Sequence, residues 1–111
     1  MTDLIERERG FWLNGGDHYD EHADEEAIYV VPKKDGILDH AAAARIIQDS
    51  GIWDEVDMED LRRQELGEGI EVLTYRATGR RDGAVFHANC STIYRGGKLI
   101  HHQQTPIPAE D

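Results

Sequence analysis

With 23 acidic against 12 basic residues in a chain of 111, the formal net charge is −11, which disfavours a nucleic acid backbone or an anionic membrane surface as a partner. This length suits one hydrophobic core and a single domain over residues 1–111. MTDLIERERG puts charges where a signal peptide needs an apolar run, no segment reaches the roughly 20 apolar residues of a membrane span, and the lone Cys90 cannot form an internal disulfide, so a reducing, cytoplasmic setting is expected.

In chain order, Asp3 with Glu6 three positions on marks a helix start, and Leu4, Ile5, Glu8, Phe11 and Trp12 fall on one stripe at helical spacing, up to Gly15-Gly16. Asp17 is placed to cap a short second helix through HYDEHA. Ala27 to Val31 is a compact apolar run stopped by Pro32 and reads as a strand, followed by a KKDG turn. Asp39 can cap a helix over HAAAARIIQDS, with Ala43, Ile46 and Ile47 as its stripe and Gly51 as its stop. Residues 52–66 are ambiguous: Glu, Leu, Arg, Met and Gln favour helix, whereas Ile52, Asp54, Val56 and Met58 alternate as a strand would.

Residues 69–105 read as three antiparallel strands joined at Asp82-Gly83 and Gly96-Gly97, dipeptides able to supply the positive φ of two-residue hairpin loops. Counting back from these turns pairs Tyr75 with Cys90, Thr92 with His101 and Cys90 with Gln103. One face then carries Leu73, Tyr75, Phe86, Cys90, Tyr94, Leu99, His101 and Gln103, and is mostly apolar. The opposite face has a centre of Val72, Thr74, Ser91, Ile93, Ile100 and His102, too polar for a core and too poor in charge for a solvated surface, which suits a contact with a second copy.

Most chemistry-bearing residues have a plain structural explanation. His18 and His22 share a helical face, yet no HExxH and no cysteine partner accompany them, so a solvated acidic helix is favoured and no metal is expected. The DEE run at 24–26 reads as surface charge, and Cys90 as a small buried hydrophobe. The convergence of Tyr75, His101 and Gln103 on the inner face is the strongest site candidate: an imidazole near a phenol in an apolar cup can exchange protons at neutral pH or orient a ligand, or the trio can simply satisfy itself. Leu73, Phe86, Tyr94, Trp12 and Trp53 would wall that cup, and the two tryptophans serve equally well as core.

The order of elements, together with the Phe11-Trp12 pair, ADEEAIYVVP, the DG-L run before the alanine helix, GIEVLTYRA, STIY and the closing HQQTP, resembles a SnoaL-like domain of the nuclear transport factor 2-like superfamily, which includes ketosteroid isomerase. The resemblance spans essentially the whole chain. It implies an α+β cone-shaped roll, N-terminal helices on a strongly curved, mainly antiparallel sheet, with residues 53–65 in a strand, a pocket on the concave side and a homodimer through the outer face. Two positions depart from the pattern: Gly97 stands where related proteins often have Trp, and Val31, before Pro32, matches the catalytic aspartate of the isomerases. Three functions follow in order of preference: a binding domain for a small apolar molecule, needing no cofactor; a small isomerase, cyclase or lyase using His101 and Tyr75; and a ligand-free dimerisation module.

Overall fold

The computed structural model describes residues 3–32, 36–50 and 52–108, and its helices begin close to where the caps put them. Helix α1 spans Leu4–Leu13, and its Asp3 cap accepts a hydrogen bond from the Ile5 amide at 3.3 Å. Helix α2, Gly16–His22, differs from expectation: Gly15, at φ 82°, caps it without a side-chain bond, and Asp17 lies inside the first turn. Asp39 accepts from the Ala42 amide at 2.8 Å to start α3, His40–Ser50. The expected stop at Gly51 and most of the KKDG turn lie outside the described residues.

Strand β1 runs Ala23–Val30, starting before the apolar run because Ala23, Ala27 and Tyr29 face inward while Glu25 and Glu26 stay exposed. It pairs with a short strand not anticipated from the sequence, β2 at Ile37–Asp39, through Tyr29 opposite Leu38. The ambiguous segment is a strand, β3 at Glu55–Gly67. It gains that state from its neighbour, since Val56 lies opposite Gly79 and Met58 opposite Ala77, and tertiary pairing overrides helix-favouring composition. Strands β4 (Ile70–Arg81), β5 (Ala84–Arg95) and β6 (Lys98–Pro106) complete a six-stranded sheet of order β2-β1-β6-β5-β4-β3, antiparallel except where β1 meets β6. Helices packed on a curved, mostly antiparallel sheet make the chain α+β.

Both hairpin dipeptides have positive φ at both positions, 51° and 82° for Asp82-Gly83 and 59° and 82° for Gly96-Gly97. The β4–β5 register follows the count, with Tyr75 opposite Cys90 and Leu73 opposite Thr92. The β5–β6 register does not. Tyr94 still faces Leu99, but Ile93 faces His101, which leaves Ile100 as an extra residue on β6. Beyond that bulge every side chain changes face: Thr92 pairs with His102 and Cys90 with Gln104, whereas His101 and Gln103 pair with Ile93 and Ser91 on the outer side. A second register shift, at Asp60 with φ 53°, interrupts β3 between Glu59 and Arg62. Such irregularities add local twist and bend, which is how one sheet wraps around a helix.

Helix α1 lies in that wrap. Leu4 and Phe11 join Tyr29, Leu73, Tyr94 and Leu99 in one cluster, and Trp12 joins Val56, Tyr75, Ala77, Ala88 and Cys90 in the other. Contact with α2 depends on Gly10, because a Cβ there would stand 2.3 Å from Cε1 of His18, whose ring also packs edge-on against Phe11 at 4.6 Å. Gly10→Ala should therefore destabilise by about 1–3 kcal/mol in urea unfolding, even though alanine is the better helix former by about 1 kcal/mol. An unchanged midpoint would show that His18 does not rest on α1.

Candidate functional site

Glu8 sits in the middle of the α1 stripe with 0% exposure, and the sheet supplies its partners. The Tyr94 hydroxyl donates to its Oε1 at 2.7 Å, the Thr92 hydroxyl donates to Oε2 at 2.7 Å, and the Tyr75 hydroxyl donates to Oε2 as well. The indole N–H of Trp12 in turn donates to Tyr75 at 3.1 Å. Thr92 has one proton and gives it to Glu8, so it accepts from His102 Nδ1 at 2.6 Å. That assignment places the imidazole proton on Nδ1 and leaves Nε2 to accept the Gln104 amide at 3.1 Å.

Burial shifts the groups around this carboxylate in a consistent sense. Desolvation first, and the Glu8 charge second, push the Tyr75 and Tyr94 hydroxyls well above the ordinary phenol range, which holds both as donors. The same causes push the Cys90 thiol up to about 12, so it is not a nucleophile at neutral pH. Desolvation holds His102 below its ordinary 6.5, with Glu8 opposing the shift and His101 adding to it.

Beside the network, between α1, α3 and the inner sheet face, lies a cavity of about 290 Å³. Its walls include Phe11, Trp12, Leu38, Ile46, Trp53 and Phe86. Trp53 stacks on Phe86 at 5.6 Å with 19° between planes and lies 6.1 Å from Trp12, while the Arg81 guanidinium sits 5.0 Å from the Trp53 ring centre. Trp53 reaches this place over Gly79, where a Cβ would come within 3.0 Å of the indole. Tyr29, His102 and Leu99 form the buried end, whereas Trp53, Arg81 and Phe86 are half-buried. Val31 lines the cavity as an apolar residue.

The expected trio is not brought together. His101 and Gln103 fall on the outer face because of the Ile100 bulge, where Ser91 donates to Gln103 at 3.2 Å. Tyr75 points inward but is held by Glu8 and Trp12 and is not among the cavity walls, so no His101–Tyr75 pair exists. Leu73 and Tyr94, at 0% and 1% exposure, are enclosed in the core instead of lining the cavity; Trp12, Trp53 and Phe86 do line it. Thr74, Ser91 and Ile93 lie on the outer face as counted, but His102 does not. His18 Nε2 is hydrogen-bonded to the Arg7 carbonyl at 2.8 Å, and among the described residues no group of three His, Cys, Asp or Glu side chains could hold a metal ion. At Gly97 the Arg7 guanidinium packs against the turn and donates to the Gly97 carbonyl.

Sequence reasoning missed Glu8, Tyr29, Arg81, His102 and Gln104. Glu8 had a signal, a charge at a buried spacing of the first helix, and Arg81 shares the parity of Tyr75 and Ala77 along β4.

Two outcomes follow from the network. Glu8→Gln should destabilise by about 2–4 kcal/mol in urea unfolding, since one amide oxygen cannot accept all three hydroxyls and its N–H₂ meets donors; a loss under about 0.5 kcal/mol would refute the network. His102, held neutral below 6.5, takes up a proton more readily when unfolded, so its contribution is intact above that pH and is lost as pH falls through the window beneath it. The stability difference between pH 7.5 and 5.5 should accordingly shrink in His102→Gln, and an unchanged difference would exclude His102 as its source.

No family model matches the sequence, and no curated protein matches it. Solved structures do. A candidate ketosteroid isomerase from Parabacteroides distasonis superposes with a TM-score of 0.79 at 20% identity, covering 97% of this chain and 88% of its own. An NTF2-like protein of unknown function in nutrient uptake from Rhodospirillum rubrum gives 0.78 at 19% identity, covering 95% and 96%. A candidate calcium/calmodulin-dependent kinase II association domain from Exiguobacterium sibiricum gives 0.76 at 13% identity, covering 96% and 90%. At such identities the likeness is one of fold, and the fold is the nuclear transport factor 2-like, ketosteroid isomerase-like one.

Proposed function

We propose that this protein binds a small, largely apolar molecule in the cavity between α1, α3 and the inner sheet face, in a cytoplasmic setting and without a cofactor. The observation that carries this reading is the aromatic wall of Trp12, Trp53 and Phe86 over a buried end containing Tyr29 and His102. A catalytic reading has less support. Val31 cannot move a proton, Tyr75 is held by Glu8, and both nitrogens of His102 are engaged. A purely structural domain has less support too, because aromatic side chains lining a cavity forgo the contacts that a filled core would give them.

The test is a titration with 2-naphthol, following the indole N–H signals of Trp12 and Trp53 by NMR. Both should shift saturably. Ile46→Trp, which fills the cavity from α3, should weaken the effect by about tenfold or more. Absence of a saturable shift in the wild-type protein would sink the reading.

A second reading concerns self-association through the outer face. Its support is the uncharged centre around Val72, Thr74, Ser91 and Ile93, adjoined by Ile100, with His101 and Gln103 in place of His102. The association-domain name of one structural neighbour adds to it. A contact of this kind buries on the order of 1,200 Å² or more in total. Ile93→Glu should convert a dimer to a monomer in light scattering; a wild-type mass of 12.6 kDa at every concentration would rule the dimer out.

A further inference from the structure

Resting on the ligand-binding reading, we propose that Tyr29 is the polar determinant of the cavity, selecting a flat, uncharged molecule that carries an oxygen acceptor, such as an ester, over a bare hydrocarbon and over an anion.

The body of such a molecule is set by the aromatic wall. Trp53 and Phe86 are stacked within 19° of parallel, and Trp12 stands beside both, at 6.1 and 6.5 Å. Walls of this kind present extended flat faces, which favour a flat body over a branched one. A volume of about 290 Å³ keeps that body small.

Its polar group is set at the buried end. The Tyr29 side chain is 3% exposed and lines the cavity, and its hydroxyl has no hydrogen-bond partner among the described residues. Buried hydroxyls are nearly always paired, and leaving one unpaired is costly. The groups around it are already engaged. His102, opposite Tyr29 across the β1–β6 pairing, gives Nδ1–H to Thr92 and accepts from Gln104 at Nε2, while Tyr75, Thr92 and Tyr94 all donate to Glu8. The unmet demand at Tyr29 is for an acceptor, and a ligand oxygen would supply it.

Charge narrows the class further. Burial first, and the Glu8 carboxylate after it, raise the Tyr29 hydroxyl above its ordinary range, which keeps it a donor. The same negative charge would repel a ligand carboxylate brought to that hydroxyl. Among the described residues that line the cavity there is no Asp or Glu, so a ligand cation would lose its hydration with no counter-charge in the wall. Arg81, which also lines the cavity, is itself engaged over the Trp53 ring and with the Ile52 carbonyl. An uncharged acceptor meets neither penalty.

Methyl 2-naphthoate, 2-propylnaphthalene and 2-naphthoate share one flat core and differ in the group offered to Tyr29. In titrations of the whole chain followed by the Trp12 and Trp53 indole N–H signals, the ester should bind at least about tenfold tighter than either of the others. Tyr29→Phe should erase the ester's lead over the hydrocarbon while leaving the hydrocarbon's own affinity unchanged, and it should not lower the urea midpoint of the free protein, because an unpaired hydroxyl contributes no bond to the fold. Tyr19→Phe, at another phenol of the lining, should preserve the lead. Equal binding of ester and hydrocarbon, binding of the carboxylate as tight as that of the ester, loss of the lead in Tyr19→Phe, or a lowered midpoint in Tyr29→Phe would overturn Tyr29 as the determinant while leaving a binding cavity in place. Failure of all three compounds, together with 2-naphthol, to bind the folded wild-type protein would overturn the ligand-binding reading itself.

Discussion

A carboxylate without exposed surface is tolerable only if its lost hydration is replaced, and Glu8 obtains the replacement from three hydroxyls on two strands. Tyr75 comes from β4, Thr92 and Tyr94 from β5, and through Thr92 the network reaches His102 on β6. Such bonds are directional, unlike the apolar contacts of Leu4 and Phe11 on the same helix. They fix the position of α1 along its axis as well as its rotation, because displacing Glu8 by one turn would bury a charge where Trp12 or Leu4 now stands, with nothing to receive it. The position of α1 sets where Phe11 and Trp12 stand, and with them one wall of the cavity.

The bulge at Ile100 is the other determinant. Without it, His101 and Gln103 would face the helix and His102 the outer surface. Thr92 would then meet a different imidazole partner, on a strand whose bend no longer carried β6 round to its parallel pairing with β1. Strand β1 holds Tyr29 opposite His102 in that pairing, so one extra residue decides both the tautomer-fixing contact and the neighbour of the cavity's buried end.

These two features account for what was legible in the chain and what was not. Asp3 and Asp39 act within four residues of themselves, so their capping could be read directly, as could the positive φ of Asp82-Gly83 and Gly96-Gly97. The β4–β5 register follows from its turn. The β6 register could not be read the same way, because the Gly96-Gly97 turn fixes only Arg95 against Lys98 and Tyr94 against Leu99. Past that point the sequence is HHQQ, two identical pairs, and a slip of one residue leaves the pattern of residue types on each face unchanged. Composition left β3 ambiguous for a related reason: its Glu and Arg side chains lie on a strand at the edge of the sheet, where their helix preference meets no competing packing requirement and is outweighed by the ladder to β4. Glu8 was visible as an anomaly in an apolar stripe, but its meaning depended on hydroxyls more than 60 positions away.

The same carboxylate links stability to the polar lining of the cavity. Because Tyr75, Tyr94 and Thr92 donate to Glu8, their hydroxyls are engaged in the network, and the neutral polar side chains of the cavity lining include Tyr19, Tyr29, His102 and Gln104. The Glu8 charge also adds to burial in raising the Tyr29 hydroxyl above its ordinary range, which keeps that phenol a donor in the cavity wall. The group that anchors the helix thereby bears on the protonation of a cavity wall that it does not itself line.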